Sequence, residues 1–197
     1  MINIDSPILA LNVSGDPVRW CSYEDAAYYY AKDLVAWSIG DDYTLSGGIQ
    51  RVSGERSTMK IESIIAIKGK MNTKRSRIPR LTNHGLFRRD MNLCGYCGQQ
   101  YVNAKLTRDH VIPRTQNGAN RWGNVVTACS PCNKHKGGRT PEQANMELLY
   151  IPYVPCLNEY LILMNRRILA DQMDYLVKNV KNEDSRIHQI IQSLKGD

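Results

Sequence analysis

The sequence predicts an α+β chain in three regions: a small α/β region with a basic arm over residues 1–80, a cysteine-clamped unit over 81–150 and a helical region over 151–197. Three observations carry this. Strand-like and helix-like segments alternate before residue 80. Two Cys-x-x-Cys pairs bracket a 31-residue stretch in the centre. Beyond Leu157 apolar residues recur at helical spacing.

The first region reads as follows. Ile8 to Val13 is a short apolar run closed by Ser14-Gly15-Asp16-Pro17, a strand and then a turn. Val18 to Cys21 is a second strand. Ser22, with Asp25 three residues on, starts a helix over Tyr23–Leu34. Ala26, Ala27, Tyr30 and Leu34 form its apolar stripe, so Tyr28 to Tyr30 read as packing residues rather than a stacking platform for bases. Val35 to Ile39 reads as a strand, Gly40 to Gly54 as a polar glycine-rich stretch and Met59 to Ile67 as an Ile-rich strand. Lys70 to Arg80 is basic, nearly devoid of apolar residues, and reads as a loop or arm.

After the centre, Thr140-Pro141-Glu142-Gln143 has the form of a capping box, predicting a helix that ends near Tyr150 before Pro152 and Pro155. Leu161, Met164, Ile168, Met173, Leu176 and Val180 predict one longer packing helix over Leu157–Val180. Glu183 to Leu194 reads as one more short helix. There is no internal repeat and no low-complexity tract.

Length and composition bound the answer. At 197 residues the chain holds one domain, or one plus a small module. Its 42% hydrophobic and 23% charged residues exclude a wholly disordered chain. No apolar run reaches the roughly 18 residues of a spanning helix. Met1-Ile2-Asn3-Ile4-Asp5 puts no basic stretch before an apolar one, so no secretory signal and a cytoplasmic location are expected.

The charge is concentrated. The chain carries a net +7, yet Lys68 to Arg139 holds 15 Lys and Arg against 2 Asp and Glu, and the rest is net acidic. A basic field on a neutral-to-acidic frame suits a polyanion, because neutralising phosphates releases counterions. Arg88 and Arg89 are either phosphate contacts or part of a solvated face. His84 and His188 read as incidental.

Six cysteines are present. Cys21 and Cys156 stand isolated among apolar residues and read as small buried hydrophobes. Cys94-Gly95-Tyr96-Cys97 and Cys129-Ser130-Pro131-Cys132 supply four thiolates, a closed tetrahedral set for structural Zn²⁺. The stretch between the pairs exceeds the roughly 15–20 residues of a simple ribbon, so the zinc ties the ends of an inserted unit. A reducing compartment disfavours disulfides, and a thioredoxin-like redox pair would leave the second pair and the basic field unexplained.

Within that insert lie Arg108-Asp109-His110-Val111-Ile112-Pro113-Arg114, then Gly118, Asn124, and after the last cysteine Asn133-Lys134-His135-Lys136. The array Cys94-x-x-Cys97, Asp109-His110-Val111-Ile112-Pro113, Asn124, Cys129-x-x-Cys132-Asn133-x-x-Lys136 resembles the HNH endonucleases of the zinc-bearing ββα-metal nuclease superfamily. The resemblance covers about residues 86 to 140. It implies a ββα-metal unit with a four-cysteine zinc site, and a metal-dependent hydrolysis of phosphodiester bonds in DNA, with RNA not excluded. It further implies His110 as general base, Asp109 and Asn133 as ligands of a catalytic Mg²⁺ or other divalent ion, and Asn124 as the residue pinning the loop beside the histidine. Asn133 stands where the family's letters have a third histidine, and His135 is a possible substitute ligand.

The chemistry is reasonable on its own terms. Phosphodiester hydrolysis needs an activated water, a cation to stabilise phosphate charge, and help for the leaving oxygen. An imidazole, titrating near about 6.5, can take a proton from water at neutral pH. Carboxylate and amide oxygens suit a hard divalent ion. Arg108, Arg114, Lys134 and Lys136 are candidate phosphate contacts. Asp109 and His110 are adjacent, so on a regular strand they face opposite ways, and both can serve one site only where the strand ends or kinks. Ser130 and Pro131 read as a helix cap and first position, with Gly137-Gly138 as its stop. The competing reading is a non-catalytic zinc module that binds nucleic acid, or a subunit of a larger DNA-processing complex. A homodimer or a partner protein is compatible with either reading.

Overall fold

A computed structural model describes residues 6–69, 78–165, 167–178 and 180. Contacts group them into two compact units. One takes in the residues up to 69 together with those of 165–180, the other residues 78–164. The described part of the segment set apart in sequence as a third region, 151–197, is thus divided between the two. The predicted basic arm falls largely, and the tail helix with His188 wholly, outside the described residues.

In the first unit β1 (Ile8–Leu11), β2 (Pro17–Cys21), β3 (Val35–Ile49) and β4 (Arg56–Ile67) form a sheet in the order β2-β1-β4-β3. β1 runs antiparallel to β2 and parallel to β4, and β3 and β4 form a long antiparallel hairpin. Ile8, Ala10, Ile61, Ile65 and Ile67 pack with Cys21, Tyr23 and Ala26. Tyr23 and Ala26 lie on α1 (Tyr23–Ala31), whose N-cap Ser22 and Asp25 make the predicted capping box. The helix stops three residues short of Leu34, with Asp33 in the left-handed region at φ 52°.

Two predictions fail, one in this unit and one where the chain passes from the second unit back to the first. The glycine-rich stretch is largely strand, because β3 continues to Ile49 opposite Arg56. A two-stranded ribbon satisfies its backbone without burying a face, so its polar alternation gives no apolar signal. The long C-terminal helix is two helices, α4 (Leu157–Met164) and α5 (Ala170–Val177). The Asn165 side chain accepts from the Arg167 amide at 3.1 Å, offering the backbone a turn in place of helix. The Gln172 side chain then accepts from the Leu169 amide at 3.1 Å and starts α5.

In the second unit α2 (Asn83–Arg89) precedes a hairpin of β5 (Leu106–His110) and β6 (Val125–Cys129), followed at once by α3 (Ser130–Lys136). This is a ββα arrangement. Its core is two small apolar clusters, Leu86, Phe87, Leu106, Trp122 and Val125 in one, Tyr96, Val126 and Ala128 with Cys94 and Cys129 in the other. The helix predicted after Thr140 is a single turn. Its capping box forms, with Thr140 and Gln143 exchanging bonds at 2.9 and 3.3 Å. Asn145 at φ 52° ends it, and the Leu149 amide turns back to the Gly95 carbonyl at 2.9 Å. The cap of α3 is also displaced: Cys129 occupies the N-cap, with no side-chain bond, and Ser130 is the first helical residue. No helix among the described residues is long and apolar enough to cross a membrane.

Candidate metal centre and active site

The four cysteines of the two Cys-x-x-Cys pairs converge. Their sulfurs all lie within 4.8 Å of one another and none is in a disulfide. A tetrahedral Zn²⁺ with bonds of about 2.3 Å spaces its sulfurs about 3.8 Å apart, so the set fits zinc with a small contraction. The first pair sits on a knuckle closed by Gly98 N–H to the Cys94 carbonyl at 2.9 Å, with Gly98 at φ 70°. The second pair straddles the junction of β6 and α3. Burial pushes the Cys94 thiol up. At exposed Cys97 burial also pushes upward, but the Gln99 backbone N–H, the Cys94 thiol and the Tyr101 hydroxyl outweigh it and bring the thiol down to about 7. The cluster is compatible with zinc, and four soft ligands leave no open position.

A buried guanidinium fixes the frame behind the hairpin. Arg89 is 1% exposed and, with the adjacent Asp90, is closed to solvent. Its Nε donates to Asp90 Oδ1 at 2.8 Å, Nη1 to the carbonyls of Trp122 and Tyr153 at 2.9 and 2.7 Å, and Nη2 to the Val125 carbonyl at 2.8 Å and to Asp90 Oδ2 at 3.2 Å. All five guanidinium N–H groups are thereby used. Asp90 Oδ2 also accepts from the Thr127 amide at 2.8 Å. Arg89 is therefore neither a phosphate contact nor a solvated residue. It anchors the start of β6.

β5 and α3 face each other with matched spacing. Thr107 and Asp109 lie two apart on the strand, and Asn133 and Lys136 three apart on the helix, so each pair shares a face. Asn133 Nδ2 donates to Thr107 Oγ1 at 2.8 Å. Lys136 Nζ donates to Asp109 Oδ1 at 3.0 Å and to the His110 carbonyl at 2.8 Å. The Tyr96 hydroxyl donates to Asp109 Oδ2. Burial, and then the bond to that carboxylate, push the Tyr96 phenol far up, so it stays a donor. Lys136 is 0% exposed. This corrects its expected role: the ammonium is spent on Asp109 and the strand end, not offered to phosphate.

β5 pairs in register with β6 as far as His110 opposite Val125, and there it ends. Beyond it the chain is pinned by Asn124. The Asn124 carbonyl accepts from the Val111 amide at 2.9 Å. Its side-chain oxygen accepts from the Ile112 amide at 2.9 Å, and its Nδ2 donates to the Ile112 and Ala119 carbonyls at 3.0 and 2.9 Å. The imidazole of His110 lies on the other face of the strand from Asp109, with Nε2 3.2 Å from Asn120 Oδ1. Arg108 Nη1 donates to the same oxygen at 3.0 Å.

Both faces meet at the strand end in an open cleft of about 270 Å³ whose lining includes Arg108, Asp109, His110, Arg114, Asn133 and Lys136. The fact that β5 ends at His110 lets two adjacent, oppositely pointing residues border one space. Arg114 is exposed at the cleft, and Lys134 is exposed on α3. His135 is exposed and absent from the lining, so the described cleft gives it no place as a ligand. Sequence reasoning missed the roles of Tyr96, Arg89 and Asn120. Only Tyr96 carried a signal, its place inside the first Cys-x-x-Cys.

For a hard cation the cleft offers the carboxylate oxygens of Asp109, each with one further lone pair, and Asn133 Oδ1, which the Thr107 bond leaves unused. Two oxygen donors with space for water and phosphate fit such an ion.

No curated protein matches the chain significantly. Residues 94–149 match the family described as HNH endonuclease, a family of nucleases acting on nucleic acid. The matched stretch holds both thiolate pairs, the β5–β6 hairpin and α3, so the similarity to HNH endonucleases covers the whole ββα arrangement.

Proposed function

We propose that the protein is a metal-dependent endonuclease that hydrolyses phosphodiester bonds in DNA, with His110 as general base. The observation that carries this is the shared cleft at the end of β5, where His110, Asp109 and Asn133 meet beside Arg108 and Arg114. His110 removes the proton of the attacking water. Asp109 and Asn133 would hold a divalent ion, Mg²⁺ or a similar cation, which when bound supplies Lewis-acid stabilisation of the phosphate and of the leaving oxygen. Arg108, Arg114 and Lys134 hold backbone phosphates, contacts that carry little sequence information. The zinc knuckle is structural, and it fixes α3, and so Asn133, against β5.

One observation favours a second reading, a non-catalytic zinc module or a subunit of a larger DNA-processing complex. Both Asp109 oxygens already accept hydrogen bonds, from Lys136 and Tyr96, as a purely structural carboxylate would. A nicking assay separates the readings. Purified protein with its zinc content verified is incubated with supercoiled plasmid and Mg²⁺, Mn²⁺ or Ni²⁺. Relaxed and linear products that vanish with EDTA, at a dose that leaves the zinc bound, support the endonuclease. Intact plasmid with all three ions, despite measurable DNA binding, supports the module.

A further inference from the structure

The polar contacts around His110 determine more than its location. A guanidinium has donors and no acceptor. The Asn120 atom 3.0 Å from Arg108 Nη1 is therefore the amide oxygen. That same oxygen is 3.2 Å from His110 Nε2. An amide oxygen only accepts, so Nε2 must donate to it and must carry a proton. In the neutral ring the remaining nitrogen, Nδ1, then holds the lone pair.

Backbone contacts hold Asn120 in its place. Its neighbour Ala119 has its carbonyl bonded by Asn124 Nδ2 at 2.9 Å and by the Arg121 amide at 3.1 Å. Gly118 presses against the Ile112–Pro113 backbone, where an added Cβ would lie 1.7 Å from the Ile112 oxygen. The loop returns to the histidine by backbone anchors, and Arg108, two residues before His110 on the same strand face, closes the triad. A lone exposed hydrogen bond is weak, whereas one whose acceptor is fixed by both a backbone anchor and a cation can orient a ring.

We propose that Asn120 is a positioning residue for the reaction: its Oδ1, held by Arg108, fixes the His110 ring with the proton on Nε2 and the lone pair on Nδ1. This rests on the reading of His110 as general base, and it names the nitrogen that takes the proton. Asn120 is not among the residues lining the cleft, and it acts through the ring.

The test pairs a spectrum with a rate. In the full-length, zinc-loaded protein, nitrogen-15 correlation of the imidazoles (His110 assigned by its loss in His110→Ala) is expected to show Nε2 protonated and Nδ1 bare in the neutral ring. Asn120→Leu removes the acceptor at similar volume and is expected to lower kcat about ten- to a hundredfold, the scale on which a residue orienting another's ring acts. KM and zinc content stay unchanged. Asn120→Asp keeps an oxygen acceptor and is expected to recover most of kcat. A wild-type ring protonated on Nδ1 overturns the proposal, as does an Asn120→Leu variant as fast as an active wild type. If His110→Ala cuts at the wild-type rate while the Nε2-protonated ring is observed, the base reading has failed and the orientation by Asn120 stands.

Discussion

The two units of the chain are held together by different physics. Around its sheet the first unit buries Ile8, Leu9, Leu11, Ile61, Ile64 and Ile65 almost completely, and its described buried polar residues, Asn12, Ser63 and Gln172, carry no charge. The second buries Arg89, Asp90, Asp109, Lys136 and Glu159, and gathers four cysteines. Hydrocarbon packing is tolerant of small shifts. A buried charge with every bond satisfied is not, because any displacement leaves it unpaired. The second unit therefore exchanges apolar core for fixed geometry, and that is the unit in which the proposed function requires His110, Asp109 and Asn133 in definite places. A zinc ion on its four cysteines would add stability to that unit.

This contrast can be broken or sharpened by experiment, beginning where the largest effect is expected. Stripping zinc, or Cys129→Ala, removes a contribution of about 10 kcal/mol or more from the second unit alone. Hydrogen exchange is expected to show amides of β5 and β6 losing protection while those of β1 and β4 keep it. Loss in both units, or in neither, would erase the distinction.

Next comes Arg89→Met, which leaves the Asp90 carboxylate and the carbonyls of Trp122, Tyr153 and Val125 without their donor. Breaking such a buried pair costs about 3–5 kcal/mol, read as a lower denaturation midpoint for the second unit. Its counterpart in the first unit is Gln172→Ala, which frees the Pro7 and Ser63 carbonyls, each bonded at 2.9 Å. Leaving neutral acceptors of this kind unpaired costs about 1–3 kcal/mol. Equal costs would mean that buried charge is not what sets the units apart.

Gly118→Ala acts on the loop that returns to His110. Its Cβ would meet the Ile112 backbone, so the loop must shift, at a cost of about 1–3 kcal/mol. The expected signature is a larger fall in nicking rate than in melting temperature. A fully active Gly118→Ala protein would show that the loop does not position the histidine.

The smallest effect concerns the first unit's thiol. Burial pushes Cys21 up to about 12. At pH 8 it holds almost no thiolate, so iodoacetamide should leave it unmodified in the folded protein and label it after denaturation. Rapid native labelling at Cys21 would show that this core opens readily.

Most of the candidate site was legible because its proposed chemistry depends on residue type at fixed spacing: two thiolate pairs, an Asp-His step and an amide after the last cysteine. The three-residue spacing of Asn133 and Lys136 already put both on one face of α3. What could not be read was which partner each polar group would choose. Lys136 looked like a phosphate contact, and Arg89 like either a phosphate contact or a solvated residue, because sequence shows charge and not burial. Asn120 was one polar residue among several in a loop, and its meaning depends on the return of that loop to His110. In the fold, the elements with an apolar rhythm, β1, β4 and α1, were readable. The β3 ribbon and the break at Asn165 were not, since one needs no buried face and the other turns on a single side-chain bond.

The central claim is that the second unit holds a base against a phosphate. It is tested most directly by the nicking rate of His110→Ala beside wild type, at equal zinc content and equal DNA affinity. A positioned general base contributes about 10²- to 10⁴-fold, so a loss of that size with binding and zinc intact is predicted. Plasmid cut equally fast by both proteins would contradict the account.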